Sequence, residues 1–270
     1  MARSDWRRPA AFPLAPDHRR IRLDVSYDGA LFSGWQKQKS VRTVQEEIEQ
    51  ALHAMIGESV HVQGSGRTDA KVHAVGQVAH FDTANHSIPT SAFSIALNQI
   101  LPQDIRILRS SQANERFHAR FTSICREYRY YCKEFTCLTP FERDRVCRLK
   151  RFPSLELLNA YAAHLVGTHD YSTFGASADQ SESKVRDLYE SVFHHERSLW
   201  GGDLLVYVVS GNAFLMHQVR SMVGTMLQLG EQEIPPEEFK RRLDAQDRSQ
   251  AGRTAPPGGL FLYRIDYDPY

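Results

Sequence analysis

No stretch of this 270-residue sequence comes near 18 consecutive apolar residues, so it offers no candidate membrane-spanning helix. The first twenty residues, MARSDWRRPAAFPLAPDHRR, lack a continuous apolar segment, which argues against a secretory signal. Cysteine is scarce: Cys125, Cys132, Cys137 and Cys147 form neither a C-x-x-C pair nor a zinc-ligand spacing. The expectation is reduced thiols in a cytoplasmic protein, with no metal site. Lysine is scarce as well, 7 of the 33 cationic residues. The other cations are arginine, whose planar fork fits phosphate and whose flat face stacks on bases.

A net charge of +1 hides an uneven distribution. Residues 106–151 hold twelve cations against five acids, and residues 1–22 six against two. Basic segments within a nearly neutral chain suggest a local anionic partner, nucleic acid foremost. Solvated faces paired with acids elsewhere would give the same count.

The hydrophobic pattern gives an α+β chain. Residues 21–27 alternate, with Ile21, Leu23, Val25 and Tyr27 on one face of a strand. Thr43 and Glu46 have capping-box spacing, and Val44, Ile48, Ala51, Leu52 and Met55 form a helical stripe that Gly57 can end. SVHVQ, QVAHF and DIRIL read as strands, with a helix over 90–100 before the last. The second half repeats this order: strand 126–133, helix 154–167, strands 185–193 and 203–211, helix 214–230 and strand 260–267. Each half is a β-α-β-β-α-β series, the split βαβ pattern of ferredoxin-like domains. The expected organisation is a mobile basic arm at 1–20, one α+β domain at 21–118 and a second at 119–270, joined in a mainly antiparallel sheet with a cleft between the halves.

Three places could carry chemistry. In GSGRTDAKVHAVGQVAHF, Gly64 and Gly66 allow φ > 0 or close approach to a ligand. Arg67 and Asp69 share one side of an extended chain, and a neighbouring cation favours an ionised carboxylate, a possible nucleophile or base. The loop is neither a P-loop nor a dinucleotide fingerprint, and a turn-capping Asp69 with a solvated Arg67 stays open. Along 126–132, Arg126, Tyr128, Tyr130 and Cys132 share a face, either a stacking platform for bases or core tyrosines. Arg220 stands among Val219, Met222, Val223 and Met226, and should pair with a carboxylate, reach a cleft or snorkel to solvent.

These stretches, with YDGALFSGWQ, TVQEEIEQAL, LNQILPQDI, FHARFTSICREYRYY, GTHDYSTF, FLMHQVRSMVGTMLQLG and GLFLYRIDY, occur in order from about residue 21 to 267. In this the chain resembles the TruA family of tRNA pseudouridine synthases. The resemblance implies isomerisation of uridine to pseudouridine at positions 38, 39 and 40 of the tRNA anticodon stem-loop, by a homodimer and without metal or cofactor. It places Asp69 as the catalytic aspartate. Tyr128 would stack on the base and help remove the C5 proton, Arg67 would assist base flipping, Arg220 would pair with the aspartate, and Leu260 would line the base pocket. Lys71, His73 and Arg126 are further candidates for RNA contact. The carboxylate could act at C1′, C2′ or C6. Two positions depart from the family pattern: Lys71 stands where glycine is usual, strained if φ is positive there, or else a phosphate contact, and Arg253 stands where proline is frequent. A non-catalytic RNA-binding protein, a synthase with other target uridines and a small-molecule enzyme on the same scaffold are the competing readings.

Overall fold

A computed structural model of the chain describes residues 12–268. It is a mixed α+β structure in which ten strands form one sheet and five helices cover it. In chain order the elements are β1 (Arg19–Tyr27), α1 (Val44–Ile56), β2 (Gln63–Gly64), β3 (His73–Thr83), α2 (Ala92–Ile100), β4 (Ile105–Ala113) and β5 (Ser123–Glu134). There follow β6 (Cys147–Leu149), α3 (Leu155–Ala163), β7 (Gly167–Asp170), β8 (Val185–Arg197), β9 (Asp203–Gly211), α4 (Gln218–Glu231), α5 (Pro236–Asp244) and β10 (Leu260–Tyr267). None of the helices among the described residues is long and apolar enough to cross a membrane.

The strand order is β4-β1-β3-β10-β5-β9-β8-β7, with β2 beside β3 and β6 beside β5. Most pairs are antiparallel. The exceptions are β5 with β6 and β10 with β3, where Phe261 aligns with His73 and Leu262 with Ala74. The last strand is thus inserted between strands of the first and second halves. Its other edge pairs with β5, Leu260 opposite Tyr130 and Leu262 opposite Tyr128. The core follows the alternation: Ile21, Leu23 and Val25 are fully buried, as are Val44, Ile48 and Leu52 on α1.

Several local expectations are corrected. Gly57 does close α1 in the left-handed region, at φ 74°. No capping box opens that helix, and Thr43 Oγ1 is buried without a hydrogen-bond partner among the described residues. The first amides of α1 are met instead by loop carbonyls, Val44 N–H donating to Gly34 O (3.2 Å) and Gln45 N–H to Trp35 O (3.0 Å). The expected strand over SVHVQ shrinks to Gln63–Gly64. The helix expected from residue 214 begins at Gln218, and the one expected to reach Gly167 stops at Ala163. Residues 1–11 of the expected basic arm lie outside the described residues. Phe12 rests on His118 and Phe121, and Arg19 and Arg20 already belong to β1.

Candidate active site

The loop between β2 and β3 is held from beneath by residues 28–36. Trp35 N–H donates to Thr68 O (3.1 Å), Lys71 N–H donates to Phe32 O (3.1 Å), and the hydroxyls of Tyr27 and Thr68 meet at 2.8 Å. Gly34, at φ 98°, lies so close that a Cβ would stand 2.6 Å from Thr68 O. Neither Gly64 nor Gly66 has positive φ. Gly64 is required by contact, since a Cβ there would enter the Trp35 indole at 2.5 Å. Gly66 is clamped by the buried Gln77 amide, which donates to Gly66 O at 2.8 Å and accepts from Gly66 N–H at 3.4 Å. The loop is therefore a fixed platform and not a free turn. Lys71 takes φ 65° on it, the conformation that glycine adopts without penalty.

Asp69 projects from this platform towards the first turn of α4. Its Oδ2 accepts from Arg220 Nη1 at 2.9 Å and lies 3.4 Å from His217 Nε2. The Arg220 side chain is only 14% exposed, and its Nε donates to Ala255 O at 2.9 Å. The guanidinium is thus aimed by a backbone carbonyl on one side and a carboxylate on the other. Approach to a helix N-terminus adds a favourable field for the carboxylate. His217, the residue before α4, holds φ 62°, an uncommon state for a non-glycine residue.

These groups stand at a cleft of about 660 Å³, within the usual range of small-ligand sites, roughly 300–1,000 Å³. Tyr128, Phe214 and Leu260 are part of its apolar surface, the two rings meeting edge to face with centroids 5.1 Å apart. Burial pushes the Tyr128 phenol up to about 12, against the opposing pull of Arg126. Five arginines (67, 120, 126, 186 and 220) face the cleft with two aspartates (69 and 179). Burial, with Arg67 nearby, lowers the pKa of Arg120. No cluster of metal-ligating side chains occurs among the described residues. The arrangement provides one fixed carboxylate with an arginine partner, an aromatic surface for a planar ring and excess positive charge around it.

Comparison with known proteins shows the family of the chain. The family model described as tRNA pseudouridine synthase matches residues 23–122 and 161–268. The chain belongs to the tRNA pseudouridine synthase family. Its members are isomerases. Proteins named tRNA pseudouridine synthase A are similar over nearly the whole length. That of Bacillus pumilus is 41% identical, over 92% of this chain and 99% of the relative. That of Bacillus subtilis is 40% identical over the same shares, and that of Nitrosococcus oceani 42% identical over 92% and 93%.

In this pseudouridine synthase, Asp69, Arg67, Arg126, Tyr128, Arg220 and Leu260 all line one cleft, although they come from four separate segments. The cation paired with Asp69 is Arg220; Arg67 is exposed and forms no ion pair with it. The face of β5 read either as a stacking platform or as core is core at Tyr130 and Cys132. Tyr130 and Cys132 are fully buried, the Tyr130 hydroxyl donating to Pro256 O, and Arg126 and Tyr128 reach the cleft from that face. Arg126 donates to the carbonyls of Asn212, Ser65 and Arg120, so it ties three segments together. His73 is 1% exposed, stacked on Phe261, with Nδ1 accepting from Gly29 N–H and Nε2 donating to Asp144 O. It secures the fold and presents no surface to RNA. Lys71 and Arg253 are exposed and do not line the cleft. Sequence reasoning passed over His217, Gln77, Ser65 and Arg186. His217 and Arg186 lay inside stretches already singled out for other reasons, and a histidine three residues before Arg220 was a usable signal.

Proposed function

We propose that this chain isomerises uridine to pseudouridine in the anticodon stem-loop of tRNA, at positions 38, 39 and 40, with Asp69 as the catalytic carboxylate. The observation that carries the reading is the Asp69 carboxylate fixed at 2.9 Å by Arg220 at the mouth of a cationic, aromatic-lined cleft. The names of the relatives support tRNA as the substrate.

The reaction breaks the N1–C1′ bond, turns the uracil, joins C5 to C1′ and releases the C5 proton. It neither oxidises nor hydrolyses its substrate, so its balance calls for no redox cofactor. A uridine within a stem must leave its stack, at a cost of a few kcal/mol, before the cleft carboxylate can reach it. Cleft arginines drawing in the phosphates and Tyr128 under the base offset that cost. Asp69, as an anion, supplies the electron pair at the sugar or base, and Arg220 keeps it aimed. The phenol of Tyr128 is neutral at physiological pH and acts as a stacking surface and proton relay, passing its own proton to solvent water entering the cleft as it takes the C5 proton. Arg67, at the exposed rim, is placed to occupy the gap left by the flipped nucleotide.

We further infer that the two halves, 21–118 and 119–270, are variants of one split βαβ unit. Two neighbour series support this: with the short β6 and β7 set aside, β4-β1-β3-β2 in the first half and β10-β5-β9-β8 in the second repeat one order of fourth, first, third and second strand. A 30.8 kDa chain is small beside a tRNA, which supports a homodimer working in the cytoplasm, where tRNA is found. The test of the function is release of tritium from [5-³H]uridine-labelled tRNA with the modified positions mapped. Release confined to positions 38–40 is the expected result. Release at other positions would overturn the specificity, and its absence would overturn the activity.

A further inference from the structure

Arg186, near the start of β8, lines the cleft and is only 9% exposed. Its Nη1 donates to two backbone carbonyls, Ser183 O at 2.9 Å and Val185 O at 2.7 Å. Its Nε is buried with no hydrogen-bond partner among the described residues. Two acids act on it electrostatically, Asp179 and, more weakly, Asp170, and neither forms an ion pair with it. Asp179 is already engaged by Lys184 Nζ (2.6 Å), Met216 N–H (2.7 Å) and Ser181 N–H (2.9 Å), and Asp170 by Ser172 N–H (2.8 Å). Arg126 is in the same condition, buried and bound to carbonyls instead of carboxylates.

Asn212 joins the two strands that carry these arginines. Its carbonyl accepts from Arg126, its N–H donates to Asp187 O, and its side-chain oxygen accepts from Asp187 N–H. Ser65 Oγ, which lines the cleft, is another buried polar atom without a hydrogen-bond partner among the described residues. Two guanidinium groups are therefore held inside the protein, neither in an ion pair among the described residues.

Such burial is costly, and carbonyl dipoles offset it only in part. Desolvation accordingly holds both arginines below their usual range. An anion entering the cleft would complete the arrangement. It is not the uracil, which is neutral, and it is not Asp69, which Arg220 already neutralises. A phosphodiester suits the planar fork of an arginine offering free N–H groups. We propose that Arg186, backed by Arg126, binds the RNA phosphodiester adjoining the target uridine and so seats the flipped nucleotide over Asp69. This rests on the pseudouridine synthase reading above.

The test uses a stem-loop RNA carrying the mapped target uridine, with one neutral methylphosphonate linkage on its 5′ or its 3′ side. Turnover and binding, the latter by fluorescence anisotropy, are measured for the wild type, Arg186→Gln and Arg186→Lys. Losing a charge-assisted contact should reduce wild-type kcat/KM about ten- to a hundredfold with one of the two linkages. Arg186→Gln should lose a similar factor on ordinary RNA and be changed less than about twofold by the neutral linkage. Arg186→Lys should recover part of the loss. Equal penalties from the neutral linkage in wild type and Arg186→Gln would overturn the proposal. So would indifference of the wild type to both linkages, a result that needs no folded variant. Stabilisation of the wild type by inorganic phosphate, with no effect of either linkage, would assign the subsite to a free anion and also overturn it. A wild type that makes no pseudouridine on ordinary RNA would refute the parent reading alone, because the anisotropy of the same RNAs still judges the subsite.

Discussion

At the residue scale the site is a set of side chains each fixed by something other than its ligand. Arg220 is aimed by Ala255 O, Thr68 by Tyr27 and Gly66 by Gln77. Tyr128 differs, since its hydroxyl makes no hydrogen bond among the described residues and burial keeps it protonated, with its pKa at about 12. Tyr128→Phe should keep the stacking surface and the fold but lose the relay. Turnover is expected to fall at least tenfold with tRNA affinity within about threefold, and single-turnover kinetics would check it. Lys71 is the opposite case, a residue whose conformation is a burden. Left-handed φ costs an L-residue about 1–2 kcal/mol, of which glycine's greater unfolded-state freedom would take back about 0.5–1 kcal/mol. Lys71→Gly is therefore expected to stabilise the chain by about 0.5–1 kcal/mol, a rise of a few degrees or less in the thermal midpoint. Calorimetry measures this, and a fall would show that the lysine side chain does structural work.

At the element scale, α4 and the loop after β2 were both legible as stretches, and their meeting was not. The apolar stripe around Arg220 announced a buried helix with one misplaced charge, which is a local signal. That the charge would find Asp69, 151 residues away in sequence, depends on strand order, which local periodicity does not encode. The same limit explains Arg186 and Ser65, ordinary polar residues until tertiary packing buries them. It explains β6 and β7 too, three- and four-residue strands too short to alternate visibly. Helix α5 was readable and was passed over: Pro236 at its start, Glu237 and Glu238 in the first turn, and Arg241 and Arg242 in the last are ordinary helix punctuation. Thr43 is the converse, a capping signal displaced by loop carbonyls. Packing of the 253–255 segment on α4 depends on Gly224, where a Cβ would fall 1.8 Å from Arg253 O. Gly224→Ala should push that segment away and release the Ala255 carbonyl from Arg220. A loss of about 1–3 kcal/mol in stability is expected, with a fall in kcat beyond what unfolding explains. Denaturant titration beside turnover would check both, and unchanged kcat would show that Ala255 does not aim Arg220.

At the scale of the whole molecule, the last strand β10 lies between β3 and β5, and the cleft is lined by the loop before β3, by β5, β8 and β10, and by the start of α4. The alternating strands made an α+β sheet legible, but not the insertion of β10 between β3 and β5. A histidine pair further along the sheet gives the fold a pH dependence. His80 is buried, accepts from Ala119 N–H and meets His118 edge to face. Burial first, then His118 and Arg20, lowers His80 to about 3, and burial with Arg20 and Arg120 lowers His118 to about 4. In the unfolded chain both titrate near 6.5. Between those values the unfolded state binds more protons, so stability is full above about pH 6.5 and declines as pH falls towards 4. Urea midpoints between pH 7.5 and 5 should decrease in the wild type and decrease less in His80→Gln. A wild-type midpoint that rises on acidification would contradict this.

The central claim is that Asp69 performs the isomerisation while the surrounding arginines and aromatics hold the RNA. It is tested most directly by Asp69→Asn, which keeps the shape of the side chain and removes its charge. In the tritium-release assay, this variant is expected to form no pseudouridine above background while binding tRNA within about tenfold of the wild type. Tritium release at a substantial fraction of the wild-type rate would contradict the account.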